Sequence, residues 1–271
     1  MSISWSDQVF IKLVQIGRLE IPHHVAFIMD GNRRFAKKRG SPSWYGHVAG
    51  LHRLRSILNL HGLLGIKVLT TFAFSIDNFK RSKDEVDALM KLFLESLEEY
   101  LGEDSIVMTA KVRVRVIGDI SLLPPDVKKK SIEIMQRTES HNNSVWNICI
   151  AYTAGYELTN TVRNVMVGIR SGQVKDLDVS FFSKCLFTRG DSPDLLIRTS
   201  GETRLSDFLI CQLNKAHLCF LPETWPEMTS WHIFQCLLEY NYYKSVNSET
   251  PVCDVEQERF IKTLDQIEYL K

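Results

Sequence analysis

Apolar residues along this chain fall into two patterns, short unbroken runs and longer segments in which they recur every three or four positions, and the alternation of the two predicts the architecture. Val25 to Met29 is a short apolar run preceded by Pro22 and stopped by Asp30, the form of a buried strand. Val68 to Phe74, rich in Val, Thr and Phe, stops at Ser75 in the same way. Val112 to Ile117 alternates with Arg113 and Arg115 and ends at Gly118-Asp119; Val145 to Tyr152 and Leu195 to Ile197 follow, with Leu218 to Leu221 as a further candidate strand. Between these runs the helical period takes over. Gly46 to Leu60 carries Val48, Leu51, Leu54, Ile57 and Leu58 on one side; Asp126 to Arg137 follows Pro124-Pro125; Glu157 to Ile169 and Thr229 to Tyr243 complete the series. Ser82-Lys83-Asp84-Glu85 has the form of a capping box, which gives Glu85 a structural role and starts a helix to Gly102 that buries Val86, Leu89, Met90, Phe93, Leu94 and Leu97.

Strands separated by crossover helices predict a single α/β domain with a mainly parallel central sheet flanked by helices, its connections right-handed. In that topology the strand ends at Asp30, Ser75, Gly118 and Arg198 share one edge of the sheet, where ligands bind in open α/β folds. The expected division is an amphipathic N-terminal helix in 1–20, a catalytic domain in 21–244, and a polar linker with a charged C-terminal helix in 245–271. Trp5, Val9, Leu13 and Ile16 recur at near-helical spacing. Two readings of that helix stand open: a membrane-surface helix, or one that packs on the domain or covers the mouth of a tunnel.

A net charge of +1 makes the cations from Arg33 to Arg39 a local feature, which argues for a phosphate partner and against a nucleic-acid surface. The six cysteines show no CxxC spacing and mostly lie in apolar runs, as reduced core thiols do. No apolar run is long enough to span a bilayer.

The candidate chemistry sits in Phe27-Ile28-Met29-Asp30-Gly31-Asn32-Arg33-Arg34-Phe35-Ala36-Lys37-Lys38, where an apolar run ends at a carboxylate and a Gly-Asn turn opens into cations. Gly31 lets the backbone pass close to a ligand, Asn32 tolerates a tight turn, and the cations raise the local potential. A carboxylate beside that many cations suggests a metal ion with phosphate groups. Asp194 to Phe208 repeats the form, an apolar run ending in Arg198, then Thr199-Ser200-Gly201-Glu202-Thr203-Arg204-Leu205-Ser206-Asp207.

With Gly46-His47 and Phe74-Ser75-Ile76-Asp77-Asn78-Phe79-Lys80-Arg81-Ser82, these two stretches closely resemble the cis-prenyltransferases, over residues 22 to 243 and with the motifs in family order. The resemblance is strongest to eukaryotic dehydrodolichyl diphosphate synthase catalytic subunits and plant rubber-type members. It implies an undecaprenyl diphosphate synthase-like fold and Mg2+-dependent, repeated addition of isopentenyl diphosphate to an allylic diphosphate such as farnesyl or geranylgeranyl diphosphate. It implies also that Asp30 is the metal ligand; that Gly31, Asn32, Arg33, Arg34, His47, Phe74 and Arg81 serve the allylic diphosphate; and that Arg198, Arg204 and Ser206 hold isopentenyl diphosphate. His47, Ser75 and Asn78 match positions tied to diphosphate placement and proton transfer, and the resemblance implies Asp30, Asn32, Ser75 and Asn78 as the catalytic residues. The base is left open among Asp30, Ser75, Asn78 and a substrate phosphate oxygen, and Glu202 is open as an orienting group for Arg198 or Arg204. The stripe Leu89, Met90, Phe93 and Leu97 is open between plain core and a chain-holding cavity.

Two departures from the family pattern stand out. His217 occupies the place of a bacterial metal-associated Glu, and Asp207 that of an Asn. There is no glycine after Gly201, so the Arg-x-Gly segment of self-sufficient members is not matched. The expectation is therefore a catalytic subunit completed by a Nogo-B receptor-type accessory subunit, peripherally bound at the cytoplasmic face of the endoplasmic reticulum. The rival readings are a non-catalytic stabilising subunit and a self-sufficient medium-chain synthase; the DDxxD pairs of all-helical trans-prenyltransferases do not occur.

Overall fold

The structure is a computed structural model that describes residues 5–246; the first two residues of the expected linker, Ser245 and Val246, are the end of a helix, and the rest of the linker and the C-terminal helix lie outside the described residues. In chain order the elements are α1 (Trp5–Ile16), β1 (His24–Ile28), α2 (Asn32–Lys38), α3 (Ser43–Leu64), β2 (Val68–Ser75), α4 (Lys83–Tyr100), α5 (Ile106–Thr109), β3 (Val112–Ile117), α6 (Pro125–Arg137), β4 (Ser144–Tyr152), α7 (Ala154–Arg170), α8 (Val179–Cys185), β5 (Leu195–Arg198), β6 (His217–Phe220) and α9 (Ser230–Val246). The strands form one sheet in the order β3-β4-β2-β1-β5-β6, and every pairing is parallel.

Parallel strands are covered on both faces, which is why they read as unbroken apolar runs. On one face Phe27, Leu69, Val114, Trp146 and Ile197 join Leu54, Leu58, Leu97, Ile134 and Leu237 from the helices in the larger core. On the other, Ala26, Ile28, Cys149 and Leu196 pack with Phe187, Phe208 and Leu213. Each fully buried Leu or Phe contributes about 1.5–3 kcal/mol. Among the described cysteines Cys149, Cys185, Cys219 and Cys236 are buried and free, while Cys211 is exposed.

Register brings the strand ends together. Ile28 lies beside Phe72 and Arg198, and Arg198 beside Phe220, so the residues that follow β1, β2 and β5 emerge on one edge. α1 packs inward through Phe10 and Val14, with Phe10 edge-on to Phe234 of α9 at 6.1 Å, yet Trp5 and Ile16 stay exposed. Both open readings of that helix thus have a face.

Three local expectations are corrected. Ser82 caps α4 by position, but its side chain makes no capping bond. Glu85 turns instead to Arg81 Nη1 at 2.9 Å and Arg33 Nη1 at 3.8 Å, because two guanidinia outcompete one backbone N–H. The reciprocal cap forms at Ser75, whose N–H donates to Asn78 Oδ1 at 3.1 Å while Asp77 N–H donates to Ser75 Oγ at 3.2 Å. The turn after Asp30 is a helix, α2, and α3 starts at Ser43 and runs past Gly62 to Leu64.

Candidate active site

Asp30 sits two residues beyond β1 with its backbone held on every side. Its N–H donates to Thr199 Oγ1 at 3.0 Å, its carbonyl accepts from Thr199 Oγ1 at 2.8 Å, and also from Trp225 N–H at 2.9 Å. Gly31 follows at φ +99°, and a Cβ there would lie 2.7 Å from Ser200 Oγ and 2.8 Å from Thr224 Cβ, so the position admits glycine alone. Gly31 N–H donates to Asp30 Oδ1 at 2.7 Å. The other carboxylate oxygen accepts from Arg198 Nη2 at 2.9 Å. Arg198 ends β5 and is only 2 % exposed; its Nη1 donates to Ser206 Oγ at 2.9 Å and to the Arg204 carbonyl.

Arg34, in the first turn of α2, reaches the same place. Its guanidinium lies 3.6 Å from Asp30 Oδ1 and 3.3 Å from Glu202 Oε1, and Nη1 donates to the Ser200 carbonyl at 3.0 Å. Arg204 pairs with Glu202. Asp30, Gly31, Arg34, Arg198, Arg204 and Ser206, drawn from two stretches some 170 residues apart, are therefore one cluster. Glu202 braces Arg204 and Arg34.

A second cluster flanks it. Gly46 and Gly50 let α3 press on Asn32: a Cβ would come within 2.0 Å of Asn32 O at Gly46 and 2.4 Å of Asn32 Oδ1 at Gly50. Between those glycines His47 is driven down to about 4, by burial first and then by Arg81 and Arg33 against the opposing pull of Glu85. The imidazole is neutral at pH 7. Arg33, Arg81, Glu85 and His47 thus form one electrostatic group at the end of β2, with Ser75 and Asn78 engaged in the cap described above.

Four of the buried polar atoms without partners lie here, Asn32 Oδ1, His47 Nε2, Arg198 Nε and Ser200 Oγ. Such atoms are costly to leave unmet, and at this edge a polar ligand could meet them. Ser200 is also held at φ +85°, a strained conformation for a serine.

Behind the two clusters is a cavity of about 120 Å³ whose wall includes Asn32, His47, Phe74, Leu89, Met90, Phe93 and Leu97. The Leu89–Leu97 stripe lines it, so that these residues serve core and cavity at once. The lining continues to Tyr100 and Trp146, edge to face at 5.1 Å, with Trp146 fixed by a 3.0 Å bond from Nε1 to Thr71 Oγ1. Sequence reading missed this pair, and missed Thr199 and Ser200; only the small polar turn after Arg198 hinted at the latter two.

His217 is not part of the site. It opens β6 beside Leu195, three residues before the Arg198–Phe220 level, and its ring faces Glu239 at 3.7 Å and Tyr243. Among the described residues no three His, Cys, Asp or Glu side chains converge as a metal cage. Asp30, with its side chain 32 % exposed, is a single hard oxygen donor beside anion-binding guanidinia. That donor set fits an ion held mostly by the oxygens of a bound diphosphate.

Comparison with known proteins shows what the chain is similar to. A family model for undecaprenyl diphosphate synthase matches residues 28–246. The chain is 43% identical over 229 residues to a dehydrodolichyl diphosphate synthase complex subunit of Homo sapiens, covering 83% of this chain and 69% of that protein. It is 41% identical to a geranylgeranyl-diphosphate-specific tritrans,polycis-undecaprenyl-diphosphate synthase of Pyrococcus abyssi, over 86% of this chain and 89% of that one. Among solved structures, lavandulyl diphosphate synthase of Lavandula x intermedia, in complex with dimethylallyl diphosphate, superposes with a TM-score of 0.76 at 32% identity, covering 81% of this chain and 95% of that one.

Proposed function

The chain belongs to the cis-prenyltransferase, or undecaprenyl diphosphate synthase, family and makes a Z-polyprenyl diphosphate, and from that premise we propose a division of labour within its site. The observation that carries it is the Asp30–Arg198 pair joining two strand ends above an apolar cavity. The allylic diphosphate, from farnesyl or geranylgeranyl diphosphate, takes the Asn32 amide and, once it leaves Asp30 Oδ1, the Gly31 amide, with Arg33, Arg34, His47 and Arg81, beside Phe74. Isopentenyl diphosphate takes Arg198, Arg204 and Ser206, whose forked donors suit phosphate oxygens.

Fixed cations stabilise charge as the allylic C–O bond breaks and pyrophosphate leaves. The new C–C bond forms to the isopentenyl double bond, and a proton then leaves the isopentenyl unit. Ser75 Oγ and Asn78 Oδ1 already accept backbone N–H groups, and neither a hydroxyl nor a carboxamide is basic at neutral pH. Their part is to hold the turn that carries Arg81, which favours a diphosphate oxygen or Asp30 as proton acceptor. The family uses a divalent metal; Asp30 would hold a Mg2+ together with diphosphate oxygens, and the ion when bound would supply neutralising charge for the departing pyrophosphate.

The chain works as the catalytic half of a heteromer. The human relative is named as a complex subunit. On α7, Val162, Met166, Val167 and Ile169 are exposed on the outward face, an apolar surface that a partner would cover. A Nogo-B receptor-type accessory subunit fits that role. No described helix is long and apolar enough to cross a membrane, so attachment at the cytoplasmic face of the endoplasmic reticulum would come from such a partner and from exposed Trp5 and Ile16 of α1. A purely stabilising subunit would have no use for a charged cluster over an open cavity.

The test is incorporation of labelled isopentenyl diphosphate onto farnesyl and geranylgeranyl primers, with chain-length analysis. The chain alone should incorporate little, and adding the accessory subunit should raise incorporation by orders of magnitude. Full activity alone, unchanged by partner, would leave a self-sufficient synthase; no activity in either state would overturn the catalytic reading.

A further inference from the structure

A second cavity, of about 250 Å³, lies between β3, with the loop that follows it, and α7, and no residue of the Asp30 cluster lines it. Arg113 and Arg115 enter it from alternate positions of β3, and Arg163 from α7. The only acidic lining residue is Asp119, whose Oδ1 already accepts from the N–H and the hydroxyl of Ser121. Arg115 is aimed, because its Nη2 donates to the Phe187 carbonyl at 2.8 Å and so fixes the plane of the guanidinium.

Charged residues on an edge strand discourage pairing with other sheets, but that purpose is served by side chains in open solvent. Here the edge is already closed: Val114 N–H donates to Thr138 Oγ1 at 3.0 Å and Val116 N–H meets Met135 Sδ at 3.2 Å. Part-buried Arg113 and Arg115, with exposed Arg163, instead line a space large enough for several waters or one compact oxyanion. Guanidinium forks match the tetrahedral oxygens of phosphate, and three of them against the engaged Asp119 and the Asp191 carboxylate that Arg115 also feels leave a net positive site. β3 is separated from β1 by β4 and β2, three strand spacings or roughly 14 Å, so the cavity is distinct from the Asp30 cluster.

We propose that this cavity is a second anion site that takes a phosphate-class group, either free inorganic diphosphate or the phosphate head of a lipid. The probe is inorganic diphosphate titrated into the full-length chain without metal, followed by calorimetry. The active site itself offers diphosphate two positions, allylic and isopentenyl, so a third class of site is expected. The double variant Arg113→Gln/Arg163→Gln should weaken that third class at least tenfold while turnover and thermal midpoint stay at wild-type values, and Arg204→Ala should weaken only the isopentenyl position. Co-sedimentation with phosphatidylcholine vesicles with and without phosphatidate separates the sources. Phosphatidate-dependent binding that diphosphate displaces, and that the double variant loses, assigns a lipid head; diphosphate binding without it assigns the free anion. Diphosphate sites that number no more than the two of the active site, or a third site that the double variant retains at wild-type affinity, overturn the proposal. So does a cavity that responds only to an acidic segment of a protein partner.

Discussion

Asp30 serves two neighbours at once, and this decides how its loss should be read. Its carboxylate is the one that Arg198, buried among the ends of the strands, touches. Removing one partner of a buried pair leaves an uncompensated charge, at a cost of about 3–5 kcal/mol. Asp30→Ala should therefore lose turnover and also melt earlier, whereas Asp30→Asn, which keeps an acceptor for Arg198, should lose turnover with a smaller fall in melting temperature. More than a tenth of wild-type turnover in Asp30→Asn at saturating Mg2+ would refute the metal-ligand role. Arg204 is a different case, because its side chain is 65% exposed and its ion pair with Glu202 is worth little to the fold. Arg204→Ala should raise KM for isopentenyl diphosphate about tenfold, the low end of a charge-assisted contact, and leave KM for the primer nearly unchanged. An equal rise for both substrates would remove the two-site division.

At the level of elements, the cavity is the gap that α3 and α4 leave over β2 and β4, and Tyr100 with Trp146 stands at the end opposite the polar residues. A growing apolar chain that enters past His47 would meet these rings. Trp146→Leu should then shift the product distribution to longer polyprenols, read by mass spectrometry, with a loss of stability of about 3 kcal/mol from the cavity it enlarges. Unchanged or shorter products would show that the chain leaves by another route. Elements with a sustained period were legible in the sequence, and β3 has the bounds its valine–arginine alternation predicts. α2 was not, because Phe35 and Ala36 are its only buried residues and seven positions cannot display a helical period. α5 and α8 are too short for the same reason. Asp30 and Arg198 were each legible as charges at strand ends, but their contact across 168 residues is a property of strand order, which local pattern does not encode.

For the molecule as a whole, buried histidines tie stability to pH. His24 is pushed down to about 3, by burial first and then by the neighbouring His23, and His61 to about 4, by burial first and then by Lys67. Both bind fewer protons folded than unfolded, so their contribution is complete above the unfolded value near 6.5 and drains away as pH falls toward 4 and 3. Each is worth on the order of 3 kcal/mol. The urea midpoint should drop between pH 7 and pH 4.5, and His61→Leu should flatten that drop; an equally steep drop in the variant would place the cause elsewhere. The sheet order carries one more consequence. β1 is made early, yet it lies between β2 and β5, and β5 with the Arg198–Ser206 turn is among the last parts of the sheet to be synthesised. A ribosome that has released residues 1–190 has made four of six strands while one flank of β1 still lacks its neighbour. The isopentenyl diphosphate position then does not exist, and an apolar strand edge is open to aggregation. Isopentenyl diphosphate binding should thus appear late and abruptly in a series of stalled nascent chains, as the segment through Ser206 clears the exit tunnel.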